Sequence, residues 1–173
     1  MNIKLLTIII VLFTSTLHAQ EVKWLSFDDA SVEMQQKPKK IIIDVYTDWC
    51  SWCKKMDQTT FADPVIAAYM DKFYYSVKFN AESDDSLVFK GRTFKNPNPT
   101  DARSVHQFAK AVLQGKLSYP SYVLMDENFN IVQVIVGYKS PEQLEPVLHY
   151  FQTESYKTTK WPDYEASFKG SFK

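Results

Sequence analysis

The sequence has no excess of either charge, because 20 lysine and arginine residues balance 20 aspartate and glutamate residues. A neutral chain without a run of basic residues gives no electrostatic reason to expect nucleic-acid binding. No nucleotide or flavin motif is present either, so we expect no bound organic cofactor. These absences exclude several common classes of binding protein and redox enzyme.

Cysteine and histidine are both scarce, with two and three copies respectively. The two cysteines supply only half of a tetrahedral zinc site, and beyond the first 19 residues only His106 and His149 could complete it. A haem-attachment motif would need histidine directly after Cys53, where Lys54 stands instead. We therefore expect no metal and no haem.

Long apolar runs are absent apart from the first residues. An uncharged, mostly apolar stretch of 13 residues runs from Leu5 to Leu17 and follows Lys4. A membrane span needs about 20 apolar residues, so this pattern predicts a signal peptide over residues 1–19, cleaved after Ala19. Leu17 is larger than the residue usually found near such a cleavage point, so an uncleaved membrane anchor stays as the alternative. We expect an exported, periplasmic protein with a domain at 20–151 and a C-terminal extension at 152–173.

Local signals define the helices and strands. Ser26 predicts a helix cap, Asp63-Pro64 predicts a helix start, and the β-branched run from Ile41 to Tyr46 predicts a central strand. Gly91 is expected inside a small hairpin. Thr100 opens a predicted amphipathic helix, and its apolar face comprises Val105, Phe108, Ala109, Val112 and Leu113.

The remaining signals continue the pattern. Residues 122–125 and 131–136 predict an antiparallel hairpin, and the capping box that begins at Ser140 starts a last helix, with Pro146 inside it. The predicted order is β-α-β-α-β, an insertion, then α-β-β-α. Helices should therefore cover both faces of a mixed sheet.

The two cysteines are three positions apart, in Cys50-Ser51-Trp52-Cys53, directly after the predicted central strand. A helix that begins at the motif would place Cys50 at its N-terminus, where unpaired N–H groups stabilise a thiolate. Cys50 could then attack a foreign disulfide, and Cys53 could resolve the product. A static structural disulfide is the alternative, but a loop this small contributes little stability.

The stretch from Ile41 to Lys54 resembles the active-site segment of the thioredoxin superfamily. Further matches follow in order: residues 77–80 resemble the family's third strand, residues 119–121 its cis-proline loop, and Gly137 its last-strand glycine. The similarity covers roughly residues 22–151, with an insertion at about 82–104. It implies an α/β fold, a thioredoxin-like three-layer α/β/α sandwich with a central mixed sheet. The sequence also resembles the exported, single-domain subgroup of this superfamily that has a Trp-Cys-x-Trp-Cys-Lys motif.

The resemblance assigns roles to individual residues. Asp44 should lie under the cysteines, where burial raises its pKa and lets it take the proton of Cys53. Lys78 would modulate Asp44, with a solvated lysine as the equal alternative. Pro120 should be cis, and Tyr119 before it should offer backbone hydrogen bonds to an extended substrate.

Trp49 and Trp52 are expected to flank the cysteines as an apolar contact surface. The combined prediction is a periplasmic protein-disulfide oxidoreductase, acting as a reductase, with the Cys50–Cys53 disulfide as its own redox centre. Its partners would be protein thiols and disulfides, together with a protein electron donor such as a membrane thiol carrier, and we expect a monomer. A disulfide oxidase or isomerase, or a non-catalytic binding module, are the alternatives.

Overall fold

A five-stranded sheet lies at the centre of the computed structural model, which describes residues 21–172. Its strands are β1 (Trp24–Leu25), β2 (Lys40–Tyr46), β3 (Tyr74–Asn80), β6 (Ser121–Met125) and β7 (Ile131–Val136), in the order β1-β3-β2-β6-β7. β2 runs parallel to β3 and antiparallel to β6. The sheet is therefore mixed, as predicted, and β2 is its central strand.

Helices cover both faces of this sheet. They are α1 (Phe27–Gln36), α2 (Ser51–Thr59), α3 (Pro64–Phe73), α4 (Gln107–Val112), α5 (Pro141–Gln152) and α6 (Trp161–Ser167). Side chains alternate along β2, so Ile41 and Ile43 pack with α1 and α4, while Ile42 packs with α3 and α5. Two hydrophobic cores result, one on each face, which confirms the three-layer sandwich.

Local caps form where the sequence predicts them. The side chain of Ser26 accepts a hydrogen bond from the Asp29 amide at 3.0 Å, and Asp63 accepts from the Val65 and Ile66 amides at 2.9 and 3.2 Å. Each cap satisfies N–H groups that the first helical turn leaves unpaired. α1 and α3 therefore begin at the residues that their capping signals indicate.

The segment predicted as an insertion contains a small hairpin, with β4 (Leu87–Phe89) and β5 (Arg92–Phe94) on either side of Gly91. The helix expected from Thr100 is wrong in its start, because α4 begins only at Gln107. The His106 amide donates to the Ala81 carbonyl at 2.8 Å, and the His106 ring accepts from the Phe108 amide at 3.0 Å. These bonds hold His106 as the cap; residues 100–103 form turns and a bend, and residues 104–106 have no regular secondary structure.

The C-terminal extension packs against α5. Tyr150 contacts the rings of Trp161 and Tyr164 at centroid distances of 5.1 and 4.8 Å, which places α6 on the α5 side of the sheet. Glu145, only 4% exposed, accepts hydrogen bonds from the Ser171 amide at 2.8 and 3.0 Å.

Between residues 21 and 172 no helix is long and apolar enough to cross a membrane. The predicted signal peptide lies outside the described residues.

Candidate functional site

The cysteine motif lies where β2 passes into α2. Cys50 is the N-cap of α2, and its sulfur is bonded to that of Cys53 at 2.01 Å. The Cys53 amide also points at the Cys50 sulfur, with a nitrogen–sulfur distance of 3.1 Å. Free N–H groups and the helix dipole favour negative charge at this position. The fold therefore gives Cys50 the surroundings in which a thiolate is stabilised once the disulfide opens.

The two cysteines of the disulfide are buried, while the tryptophans next to them in sequence are exposed. Cys50 is 5% exposed and Cys53 is 2% exposed, whereas Trp49 and Trp52 are each 53% exposed. Cys50 is thus the more accessible of the two sulfur-bearing residues. Large exposed apolar side chains beside a reactive pair are typical of a contact surface for another molecule.

Asp44 lies in the middle of β2 and is 2% exposed. It pairs in register with Lys78 on β3 and Tyr122 on β6, and its Oδ2 lies 3.0 Å from the Lys78 ammonium. Its Oδ1 is buried with no hydrogen-bond partner among the described residues. Burial raises the pKa of Asp44 from 3.8 to about 6, although Lys78 opposes that shift. The carboxyl group can therefore both hold and release a proton near neutral pH.

The Lys78 ammonium is shared between two carboxylates, those of Asp44 and Asp57. It also lies over the Trp24 and Tyr46 rings, at 4.9 and 5.1 Å from their centroids. Burial lowers the pKa of Lys78, but the two carboxylates outweigh that effect and raise it overall. The structure thus places Lys78 against Asp44 rather than in solvent, so it can modulate the buried acid.

Sequence reasoning missed Asp57, which lies on α2 four residues after Cys53. Its negative charge acts on Asp44 and raises the pKa of that buried acid further. The signal was available, because residues four apart share one face of a helix. Asp57 therefore belongs to the same charge network as Asp44 and Lys78.

The loop before β6 brings Tyr119 and Pro120 to the motif. The Tyr119–Pro120 peptide bond is cis, as the resemblance implies. The Tyr119 ring contacts Trp49 edge-on at a centroid distance of 6.0 Å, and the Pro120 carbonyl accepts from the Gly137 amide at 2.8 Å. Residues distant in sequence thus meet beside Cys50.

Each exposed tryptophan is held by partners that sequence reasoning also missed. The Trp49 indole N–H donates to Glu82 at 2.9 Å, and the Arg103 guanidinium lies 5.1 Å from its ring centroid. Both partners come from residues 82–104, the segment predicted as an insertion.

Trp52 packs on Tyr138 at 5.4 Å between ring centroids. The Lys55 ammonium lies 4.9 Å from the Trp52 ring centroid and 5.3 Å from that of Tyr138. Lys55 is three residues along α2 from Trp52, so helical spacing could have indicated that contact. The Tyr138 contact had no local signal.

The assembled site can carry out thiol–disulfide exchange. Its disulfide lies at a helix N-terminus beside two exposed tryptophans. A buried acid with a pKa of about 6 is linked to the same helix through Lys78 and Asp57. Across the described part of the chain, no three histidine, cysteine, aspartate or glutamate side chains are grouped so that they could hold a metal ion.

Comparison with protein families matches residues 27–152 to the model of a thioredoxin-like domain. Among curated proteins, a 65-residue stretch is 28% identical to the thiol:disulfide interchange protein DsbD of Pectobacterium atrosepticum. That stretch is 36% of this chain but only 11% of the relative, so the chain spans a small part of the length of that protein.

Solved structures share the fold. The oxidoreductase DsbH superposes with a TM-score of 0.53 at 16% identity, over 85% of this chain and 92% of the other. A putative disulphide-isomerase from Bacteroides thetaiotaomicron superposes with a TM-score of 0.54 at 22% identity, over 80% of this chain and 98% of the other. At these identities the structural similarity concerns the fold.

Proposed function

The chain belongs to the thioredoxin-like domain family, its Cys50–Cys53 pair makes it a thiol–disulfide oxidoreductase, and we propose that it reduces disulfides of exported proteins. One observation carries this proposal: Cys50 is the cap of α2, is bonded to Cys53 and has exposed tryptophans beside it. The predicted signal peptide supports an exported location, and the similarity of part of the chain to a thiol:disulfide interchange protein supports the exchange chemistry.

The proposed reaction begins with the protein in its dithiol form. The Cys50 thiolate attacks one sulfur of a substrate disulfide, a mixed disulfide forms, and the other substrate sulfur leaves as a thiolate. Cys53 then attacks the Cys50 sulfur, which restores the Cys50–Cys53 disulfide and releases the second substrate sulfur. Two electrons pass from the protein to the substrate, whose two sulfurs end as thiols.

Asp44 acts in the second of these steps. Cys53 can attack only as a thiolate, so its proton must be removed when the mixed disulfide is resolved. With a pKa of about 6, Asp44 is mostly ionised at neutral pH and still basic enough to accept a proton. Between turnovers Lys78 stabilises the ionised form of Asp44, because its ammonium contacts the Asp44 carboxylate.

Each turnover leaves the protein oxidised, so a second protein dithiol must return two electrons to it. A membrane thiol carrier would supply them in an exported compartment. The exposed surface around Trp49 and Trp52 would receive both the substrate and this donor in turn, since both react at Cys50.

A trapping experiment tests the assigned roles. Cys53→Ser retains the attacking sulfur but cannot resolve the mixed disulfide, so this variant should accumulate disulfide-linked partners through residue 50 in an exported-protein extract. Cys50→Ser is the matched control and should trap none. Equal trapping by both variants, or none by either, would refute the assignment.

The direction of the reaction is tested separately by the reduction potential of the pair. Equilibration with glutathione at known ratios should give a value close to that of thioredoxin, about −270 mV. A value near −120 mV, as in a strong oxidant, would instead indicate disulfide formation as the function.

A further inference from the structure

Strand β7 is the long free edge of the central sheet. It pairs with β6 on one side, and within residues 21–172 no strand pairs with its other side. The edge strand at the far end of the sheet, β1, has only two residues, whereas β7 has six. An edge of that length presents a row of backbone N–H and C=O groups that is complementary to another extended chain.

The register shows which backbone groups of β7 face the free edge. The Gly137 amide donates to the carbonyl of the cis-proline before β6 at 2.8 Å. Because backbone groups in an antiparallel pair point alternately toward and away from the partner strand, those of Val134 and Val136 face outward. Flexible side chains bond to both outward carbonyls, Gln133 to that of Val134 at 3.0 Å and Lys139 to that of Val136 at 3.5 Å. An incoming strand can replace these bonds with main-chain ones.

A groove of about 610 Å³ lies beside β7 on the α5 side of the sheet. Val132 and Ile135 line it from β7, while Tyr150 of α5 and Trp161 of α6 line it from the helices. Every second side chain of a strand added to β7 would point to this side of the sheet. The mostly apolar lining therefore favours a strand with apolar side chains at alternate positions.

The groove is continuous with the surface around the disulfide. Lys139, which follows β7, lines the groove, and its neighbour Tyr138 packs on Trp52. Only β6 lies between β7 and β2, the strand that leads into the cysteine motif, so about 10 Å separate β7 from β2. About three extended residues span that distance. A chain whose cystine reacts at Cys50 can therefore continue along β7.

A second copy of this chain fits the same edge less well. Two copies joined through β7 in antiparallel orientation would have their grooves on one side of the joint sheet, facing each other. The exposed apolar side chain of β7, Val136, lies on the opposite side, because it pairs with Ser121 and through it with Val45 of the α1 and α4 core. β7 thus supplies no side chain that would fill the groove of the other copy.

We infer that the free edge of β7 and the groove beside it bind an extended segment of the protein substrate, a few residues from the reacting cystine, with an apolar side chain at every second position. This inference rests on the proposed function. Cys50 is only 5% exposed, so a substrate has to present extended chain at the motif in order to react. Strand addition then supplies affinity through main-chain hydrogen bonds and specificity through the alternate side chains.

The test uses the reduced protein and four synthetic peptides, each with one internal disulfide. The first ends after the disulfide, and the second continues through three glycines into a six-residue tail in which leucine alternates with threonine. The third has the same tail with every amide N-methylated, and the fourth has serine in place of leucine. Stopped-flow tryptophan fluorescence gives the second-order rate constant for reduction of each peptide. We expect the leucine tail to raise that rate constant about tenfold, and N-methylation or serine to remove most of the gain.

A proline substitution tests the edge from the side of the protein. Val134→Pro removes an outward N–H group, and proline is tolerated in an edge strand where the N–H faces solvent. The ratio of rate constants with and without the leucine tail should fall from about tenfold to about twofold or less. Val134→Thr is the matched control, since it keeps both the N–H group and a β-branched side chain, and it should keep the wild-type ratio. If Val134→Pro does not fold, the N-methylated peptide decides the question alone.

The outcomes distinguish the two proposals. A leucine tail without effect, or equal rates for the N-methylated and unmodified tails, would overturn the inference while leaving the oxidoreductase intact. Sedimentation as a dimer that Val134→Pro converts to a monomer would assign the edge to a second copy and would also overturn it. Failure to reduce even the peptide without a tail would count against the proposed function itself.

Discussion

Replacing the buried acid should remove a pH-dependent loss of stability. Asp44 has a pKa of about 6 in the folded protein against an ordinary value of 3.8. Between those two pH values the unfolded chain has released this proton and the folded chain still holds it, so the free energy of unfolding falls as pH rises. At about 1.4 kcal/mol for each pH unit, the loss reaches about 3 kcal/mol above pH 6 and is absent below pH 3.8.

The assay is urea denaturation with the disulfide intact, repeated from about pH 4 to about pH 8. Asp44→Asn has no proton to release, so the difference in unfolding free energy between variant and wild type should shift in favour of the variant by about 3 kcal/mol across that range. Subtracting the two curves cancels the titration of groups that the substitution leaves unaffected.

Asp48→Asn is the matched control, since Asp48 is an exposed aspartate four residues further along. Its curve should run parallel to that of the wild type. If the Asp44→Asn curve is also parallel, burial imposes no such penalty on Asp44, and the argument for a carboxyl group that exchanges its proton near neutral pH is refuted.

Two other substitutions test neighbouring parts of the structure. Asp57→Asn removes a negative charge that raises the pKa of Asp44, so in the same denaturation series the loss of unfolding free energy should end at a lower pH and be smaller. Asp57→Glu keeps the charge and is the control. An unshifted curve for Asp57→Asn would contradict the coupling between the two acids. Asp63→Ala removes the cap of α3 and should lower the unfolding free energy measured in urea by about 1 kcal/mol. Asp63→Asn keeps a hydrogen-bond acceptor and should lower it less. Equal losses would show that the hydrogen bonds from the Val65 and Ile66 amides contribute nothing.

Features with local causes could be predicted from the sequence. A cap at Ser26 or Asp63 depends on residues two or three positions away. The continuous apolar, β-branched character of the run from Ile41 to Tyr46 predicts a strand that is buried on both faces. The position of Cys50 at the start of a helix follows from the same strand and the motif after it. These signals sufficed for the sandwich and the redox pair.

Contacts between distant residues could not be predicted in that way. Periodicity placed a helix start at Thr100, but the bond from His106 to Ala81 joins residues 25 positions apart and moves the start to Gln107. Likewise, nothing near Trp52 in sequence indicates Tyr138, which the fold brings to its ring. Periodicity reports which face of a helix is apolar, and it carries no information on a tertiary bond that stops the helix from forming earlier.

The bond between Glu145 and the Ser171 amide bears on how this chain can be handled in the laboratory. A stop codon introduced shortly before residue 171 would leave the carboxylate of Glu145, a residue that is 4% exposed, without the hydrogen bonds that both of its oxygens accept from the Ser171 amide. A shortened version would therefore resemble a mutation of the interior more than the trimming of a loose tail. An affinity tag attached beyond the last residue retains the anchor and is the safer choice for purification.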